Sequence, residues 1–167
     1  FLLTEMDPQI HRLVERGLMD QVDTNRHFPG YWFINGRAAP DTMFAPYAGW
    51  LPNQPYNSMP MMEPGQRLLM RLVAGGRDLH PFHHHGNHAR VIARDARLLD
   101  TGTDYGVGAP AVADLSYEVF TIQAVPGQTA DAIFTWTGEK LGWDIYGHAP
   151  GDPLMPNEYA PDHGKPF

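Results

Sequence analysis

Residues 66–92 read "QRLLMRLVAGGRDLHPFHHHGNHARVI". The first part, residues 66–76, is apolar and ends at the pair Gly75-Gly76, which reads as a strand stopped by a turn. "ARVIARDARLL", residues 89–99, reads as a second strand with a turn near Asp95. Between them "HPFHHHGNH" places five histidines in nine positions: His80, His83, His84, His85 and His88. The unit is strand, histidine loop, strand.

The same pattern continues on both sides. "YEVFTIQAV", residues 117–125, and "TADAIFTWT", residues 129–137, flank Pro126-Gly127 and read as two strands about a turn. Upstream, "YWFINGR", residues 31–37, combines strand-forming aromatics with Asn35-Gly36, a tight-turn signal. Residues 37–65, rich in Pro, Asn and Met, read as loop with one short strand. Residues 7–17 read as a short helix: Asp7 caps, Pro8 suits the first turn and Gly17 the end, with Ile10, Leu13 and Val14 on one face. Strands at roughly ten-residue intervals with one leading helix predict an all-β Greek-key sandwich or barrel. A doubly wound α/β fold would need helices after the strands, and the pattern has none.

Bulk properties agree. The chain of 167 residues can bury a core, and 17 Gly and 16 Pro favour a turn-rich β protein over a helical bundle. A net charge of −7 argues against nucleic-acid binding, which needs clustered Lys and Arg. No stretch approaches the roughly 18 apolar residues of a membrane span. Cysteine is absent, so neither a disulfide nor a thiolate ligand can form. The apolar start "FLLTEMD" reads like a strand already under way and suggests a piece of a longer chain or a trimmed product.

The histidines point to a metal. Imidazole binds copper, zinc, iron and nickel through a neutral ring nitrogen. In an extended segment, residues two apart face one way at about 6.5 Å. His83 and His85 are therefore expected on one side and His84 on the other, with His80 toward a different centre. The bland alternative is a set of solvated or hydrogen-bonded loop histidines, the default for a lone His. Zinc is chemically open, but closed structural zinc sites usually recruit Cys. The methionines Met59, Met61 and Met62 are expected to fill gaps in a core rather than to ligate copper.

On these residues the chain resembles the multicopper oxidases. "HPFHHHGNHARVI" looks like that family's HPxHxHGHxFxV segment in its C-terminal cupredoxin domain. "YWFINGRAAPDTM" is similar to the strand that opens such a domain, and "EPGQRLLMRLVAGGRDLHPFH" to the strand that feeds the histidines. The resemblance covers most of residues 30–150. It implies a lead-in of linker and helix over 1–29 from a preceding domain, a cupredoxin-like domain over 30–150, and an extended tail over 151–167.

Carried over by position, the resemblance implies His80 as the blue-copper candidate and His83 and His85 as ligands of a three-copper cluster. His84 fills a position that is usually apolar, Asn87 one that is often His, and His88 has no family role. The second family motif, W-x-x-H-C-H-I-x-x-H, is best matched from Trp143 in "WDIYGHAPGD", residues 143–152. There Tyr146 replaces the first His, Gly147 the Cys and Asp152 the last His, while His148 is kept as a cluster ligand. A blue copper needs a thiolate, which Gly cannot supply. The chain is thus expected to hold only part of a ligand set, completed by other cupredoxin domains or chains.

Three readings stay open. The chain is one domain of a larger oxidase, giving His83, His85 and His148 to an interdomain copper cluster where dioxygen oxidises electron-rich substrates such as metal ions or phenols. It would be inactive alone, and the resemblance places it outside the cell or in the periplasm. Alternatively the domain stores or transfers one copper or zinc through the same histidines, joined by His80 or His88. In the third reading it is a structural cupredoxin domain with relic histidines. Other chemistry finds no support: there is no paired catalytic carboxylate, no G-x-S-x-G elbow, and "VAGGRD" lacks the Lys-Ser/Thr of a phosphate loop.

Overall fold

A computed structural model describes residues 1–63, 65–102, 112–137 and 151–153. Nine strands and one α-helix form the described fold, and the chain divides into two compact units. The first contains residues 1–59, 72–81 and 123–129; the second contains 60–71, 82–122 and 130–167.

In the first unit, strand β1 (Leu2–Met6) lies between two neighbours. It runs antiparallel to β2 (Tyr31–Ile34), with Leu3 opposite Ile34 and Met6 opposite Tyr31. It runs parallel to the end of β3 (Arg67–Ala74), with Leu2 opposite Val73 and Leu3 opposite Ala74. Leu3, Leu72 and Ala74 are buried. The stretch expected to lead in as linker and helix thus carries a strand paired on both sides. Helix α1 (Pro8–Glu15) follows, capped as its sequence predicts: Asp7 accepts a hydrogen bond from the Gln9 amide at 2.8 Å. The other Asp7 oxygen accepts from the Phe28 amide at 2.9 Å, tying the helix start to the loop before β2.

At the end of β2, Asn35 and Gly36 take φ of 53° and 79°, and Ile34 and Arg37 exchange backbone hydrogen bonds of 3.0 and 3.1 Å. This is the two-residue turn that Asn-Gly favours, since both positions need positive φ. The expected strand within 37–65 is not found among the described residues, which hold a 3-10 turn at Asp41–Met43 instead. The reason is Arg37, only 1 % exposed. Its guanidinium donates to the carbonyls of Gln54, Phe44, Ala45 and Asp41 at 2.9 to 3.3 Å. A loop whose carbonyls are satisfied by one side chain needs no strand partner. Met59 and Met61 are exposed, so the expectation that they fill a core is not met.

In the second unit, β5 (Ala89–Arg94) is the hub. It pairs antiparallel with β9 (Thr129–Thr135), β7 (Tyr117–Val119) and the short β6 (Arg97–Leu98). Ala89 faces Phe134 and Val91 faces Ala132, all buried, so small and large side chains alternate across the pair. The register shifts between Val91 and Ala93, which marks a bulge. Asp95 and Ala96, with φ of 49° and 61°, form the turn expected near Asp95.

The segment expected as one strand over 117–125 is two: β7, then β8 (Thr121–Ala124), with a bend at Phe120. β7 pairs with β5, whereas β8 pairs with β4 (His80–His83) in a second, two-stranded sheet. The apolar positions change parity at the bend, from Tyr117 and Val119 to Phe120, Ile122 and Ala124, so the break leaves a trace in the pattern although the run reads as one strand. A strand that changes sheets at a bend is a usual corner in β proteins.

Candidate metal centre

In the first unit, His80 opens β4 and reaches Glu5 of β1, with Nε2 2.7 Å from Oε2. The Glu5 side chain has no solvent exposure and that of His80 has 12 %. The other Glu5 oxygen accepts from the amides of Arg77 and Asp78, the latter at 3.1 Å. Burial pushes the Glu5 carboxyl up, but these two amides and His80 together bring it below its ordinary value. Gly76, at φ +77°, makes the approach possible, because a Cβ there would overlap the Glu5 carboxylate. His27 and Asp78, both half-buried, complete a group with Glu5 in which one ligand atom of each lies within 4.8 Å of the others.

In the second unit, His83 and His85 stand together, ring centroids 5.1 Å apart and planes at 76°. Both are exposed. His83 Nδ1 is 2.7 Å from the Thr121 hydroxyl at the start of β8. That hydrogen bond fixes the ring and leaves Nε2 for another partner. A metal at Nε2 requires the tautomer in which Nδ1–H donates to Thr121.

His84 does something else. Its ring meets Phe134 edge-on at 5.3 Å and Phe120 at 6.0 Å. Its Nε2 donates to the Asn87 carbonyl at 3.1 Å, while Nδ1 is buried without a partner among the described residues. Burial of this half-buried ring lowers its pKa from the ordinary histidine value, which favours the neutral form. Gly86, at φ +95°, follows His85 where a Cβ would come 2.5 Å from Trp136 Cζ3. Asn87 bridges to Thr137 by two hydrogen bonds of 3.0 Å. His88 is exposed, its ring 3.8 Å from that of Phe120.

Of the histidines singled out by sequence, His83 and His85 meet each other and His80 meets Glu5. His88 lies against an aromatic ring. His148 lies outside the described residues, as do Trp143, Tyr146 and Gly147. Among the described residues, the histidines of 80–88 do not gather three ligand atoms in one place; Glu5, His27 and Asp78 do. Sequence reading passes over these three because they stand 22 and 51 positions apart. The one local signal is Asp78, two residues before His80.

No family model matches the sequence, and no curated protein matches it. Among solved structures the chain is similar to the multicopper oxidase mgLAC, at 17 % identity and a TM-score of 0.51. The match covers 79 % of this chain and 31 % of that one, so this chain spans less than a third of that structure's length. With the strand content and mixed pairing described above, the likeness shows a cupredoxin-like β sandwich with one short helix.

Proposed function

We propose that this cupredoxin-like domain works within a larger multicopper oxidase, where it supplies imidazole ligands to a copper centre completed by other domains or chains. The observation that carries the reading is the His83–His85 pair: two exposed rings side by side, one held by Thr121. Two oriented imidazoles are a fragment of a copper site, and the Thr121 hydroxyl, accepting from the far ring nitrogen, can fix the ring as the more common carboxylate or carbonyl partner of a metal-binding histidine does. His148 is proposed as a third ligand on the family resemblance alone. A blue copper does not fit this chain, since it has no Cys. His80 is turned to Glu5 through Nε2, leaving only Nδ1 for a metal.

When bound, copper in such a centre supplies one-electron redox chemistry toward dioxygen. The chain's own part is to orient His83 and His85 and keep their rings accessible. The family likeness supports an assembly outside the cytoplasm, extracellular or periplasmic. No helix among the described residues is long and apolar enough to cross a membrane.

The exposure of both rings also supports a second reading, in which the pair holds a single copper or zinc for storage or transfer. Metal analysis and paramagnetic resonance of the intact assembly separate the two. The first reading expects a copper signal and dioxygen uptake that disappear together in His83→Ala and His85→Ala assemblies. Copper bound by the chain alone, with dioxygen uptake unchanged in those assemblies, overturns it in favour of the second.

A further inference from the structure

We propose that Glu5, His27 and Asp78 form a second metal site, suited to zinc, which shares no residue with the His83–His85 pair and does not rest on the copper reading. The three come from separate parts of the first unit: strand β1, the loop before β2, and the turn after Gly75-Gly76. One ligand atom of each already lies within 4.8 Å of the others. Tetrahedral zinc with bonds of about 2.0–2.2 Å places its ligand atoms about 3.3–3.6 Å apart. Side-chain rotation of roughly an ångström closes that difference.

Three further features point to a cation. His27 carries a buried Nδ1 without a hydrogen-bond partner among the described residues. Folding leaves such an atom unsatisfied only at a cost, and a metal bond removes it. The Glu5 carboxylate is held in place by two amides and by His80, so its position is set before any metal arrives. Gly76 leaves room for that carboxylate where any Cβ would occupy it.

The donor set selects the ion. Two carboxylates and one neutral imidazole carry a net charge of −2, which a divalent cation neutralises. Calcium and magnesium favour six or more oxygens, whereas one nitrogen and two carboxylate oxygens suit zinc with a fourth position for water. His80 acts as a positioning residue through its bond to Glu5.

The test titrates zinc chloride into metal-stripped full chain carrying His83→Ala, His85→Ala and His88→Ala, which removes the imidazoles of the proposed copper site and the exposed His88. Calorimetry should show one zinc per chain. Adding His27→Ala or Asp78→Asn should weaken that binding at least tenfold while circular dichroism stays that of the parent. Cobalt(II) should give the visible absorption of a four-coordinate site in the parent and lose it in both variants. Absence of zinc binding in the parent, or zinc affinity unchanged by His27→Ala and by Asp78→Asn, overturns the proposal. Glu5 itself is left intact, because its hydrogen bonds also hold the turn at Arg77 and Asp78.

Discussion

His80 Nε2 lies 2.7 Å from Glu5 Oε2, and the carboxylate it meets is wholly removed from solvent. The pair spans 75 positions of sequence and joins the first strand of the chain to the first residue of the histidine segment. A histidine that sequence resemblance assigns to copper is thus engaged at one ring nitrogen by a carboxylate. Such a partner orients a metal-binding imidazole as readily as it anchors a structural one.

Stability should record the ionisation of Glu5. Its folded pKa is depressed, so its contribution is fully present above the ordinary value of 4.5 and is lost as pH falls from there toward the folded pKa. Glu5→Gln should cost about 1–3 kcal/mol at pH 7. The gap from the parent should narrow as urea melts move from pH 5 to pH 3.

His84 should act with the same sign at higher pH. Its folded pKa lies below 6.5, so the unfolded chain takes up the proton first and stability declines as pH drops through that range. His84→Leu keeps the contacts with Phe120 and Phe134 and removes the proton uptake. Between pH 7.5 and pH 5 its melting temperature should fall less than the parent's.

Copper affinity should depend on Thr121. Thr121→Val removes the hydroxyl bonded to His83 Nδ1 while keeping strand-forming shape. Competition titration with copper(II) should show binding weakened about tenfold or more. His84→Leu, which leaves that hydroxyl alone, should bind as the parent does.

Gly86→Ala should destabilise the chain by about 1–3 kcal/mol in urea melts. The backbone there is left-handed, and the new methyl would meet Trp136. Tryptophan emission should shift with the displacement of that ring.

Arg37→Met should be the costliest of these changes, about 3 kcal/mol or more, because several half-buried carbonyls lose their donor at once. Limited proteolysis should then cut first within residues 38–58.

These cases also mark what the sequence discloses. The cap of α1, the Asn35-Gly36 turn and the alternation of β3, β5 and β9 are local, and each is legible where it stands. The bend at Phe120 shows only as a change of apolar parity, from Tyr117 and Val119 to Ile122 and Ala124, and nothing local tells that the pairing partner changes with it. The loop after Arg37 is not legible, because one buried guanidinium substitutes for a strand ladder. The spacing of His83 and His85 anticipates their meeting. Nothing in the spacing anticipates Glu5, His27 and Asp78, whose approach depends on β1 lying beside the end of β3.

That placement of β1 sets a limit on how the protein can be shortened. A trimmed version starting at residue 7 would strip the middle member from a three-strand ribbon, leaving β2 and the Leu72–Ala74 end of β3 with bare backbone edges. Such edges recruit strands from other molecules, so clumping, rather than simple loss of a tail, is the expected result.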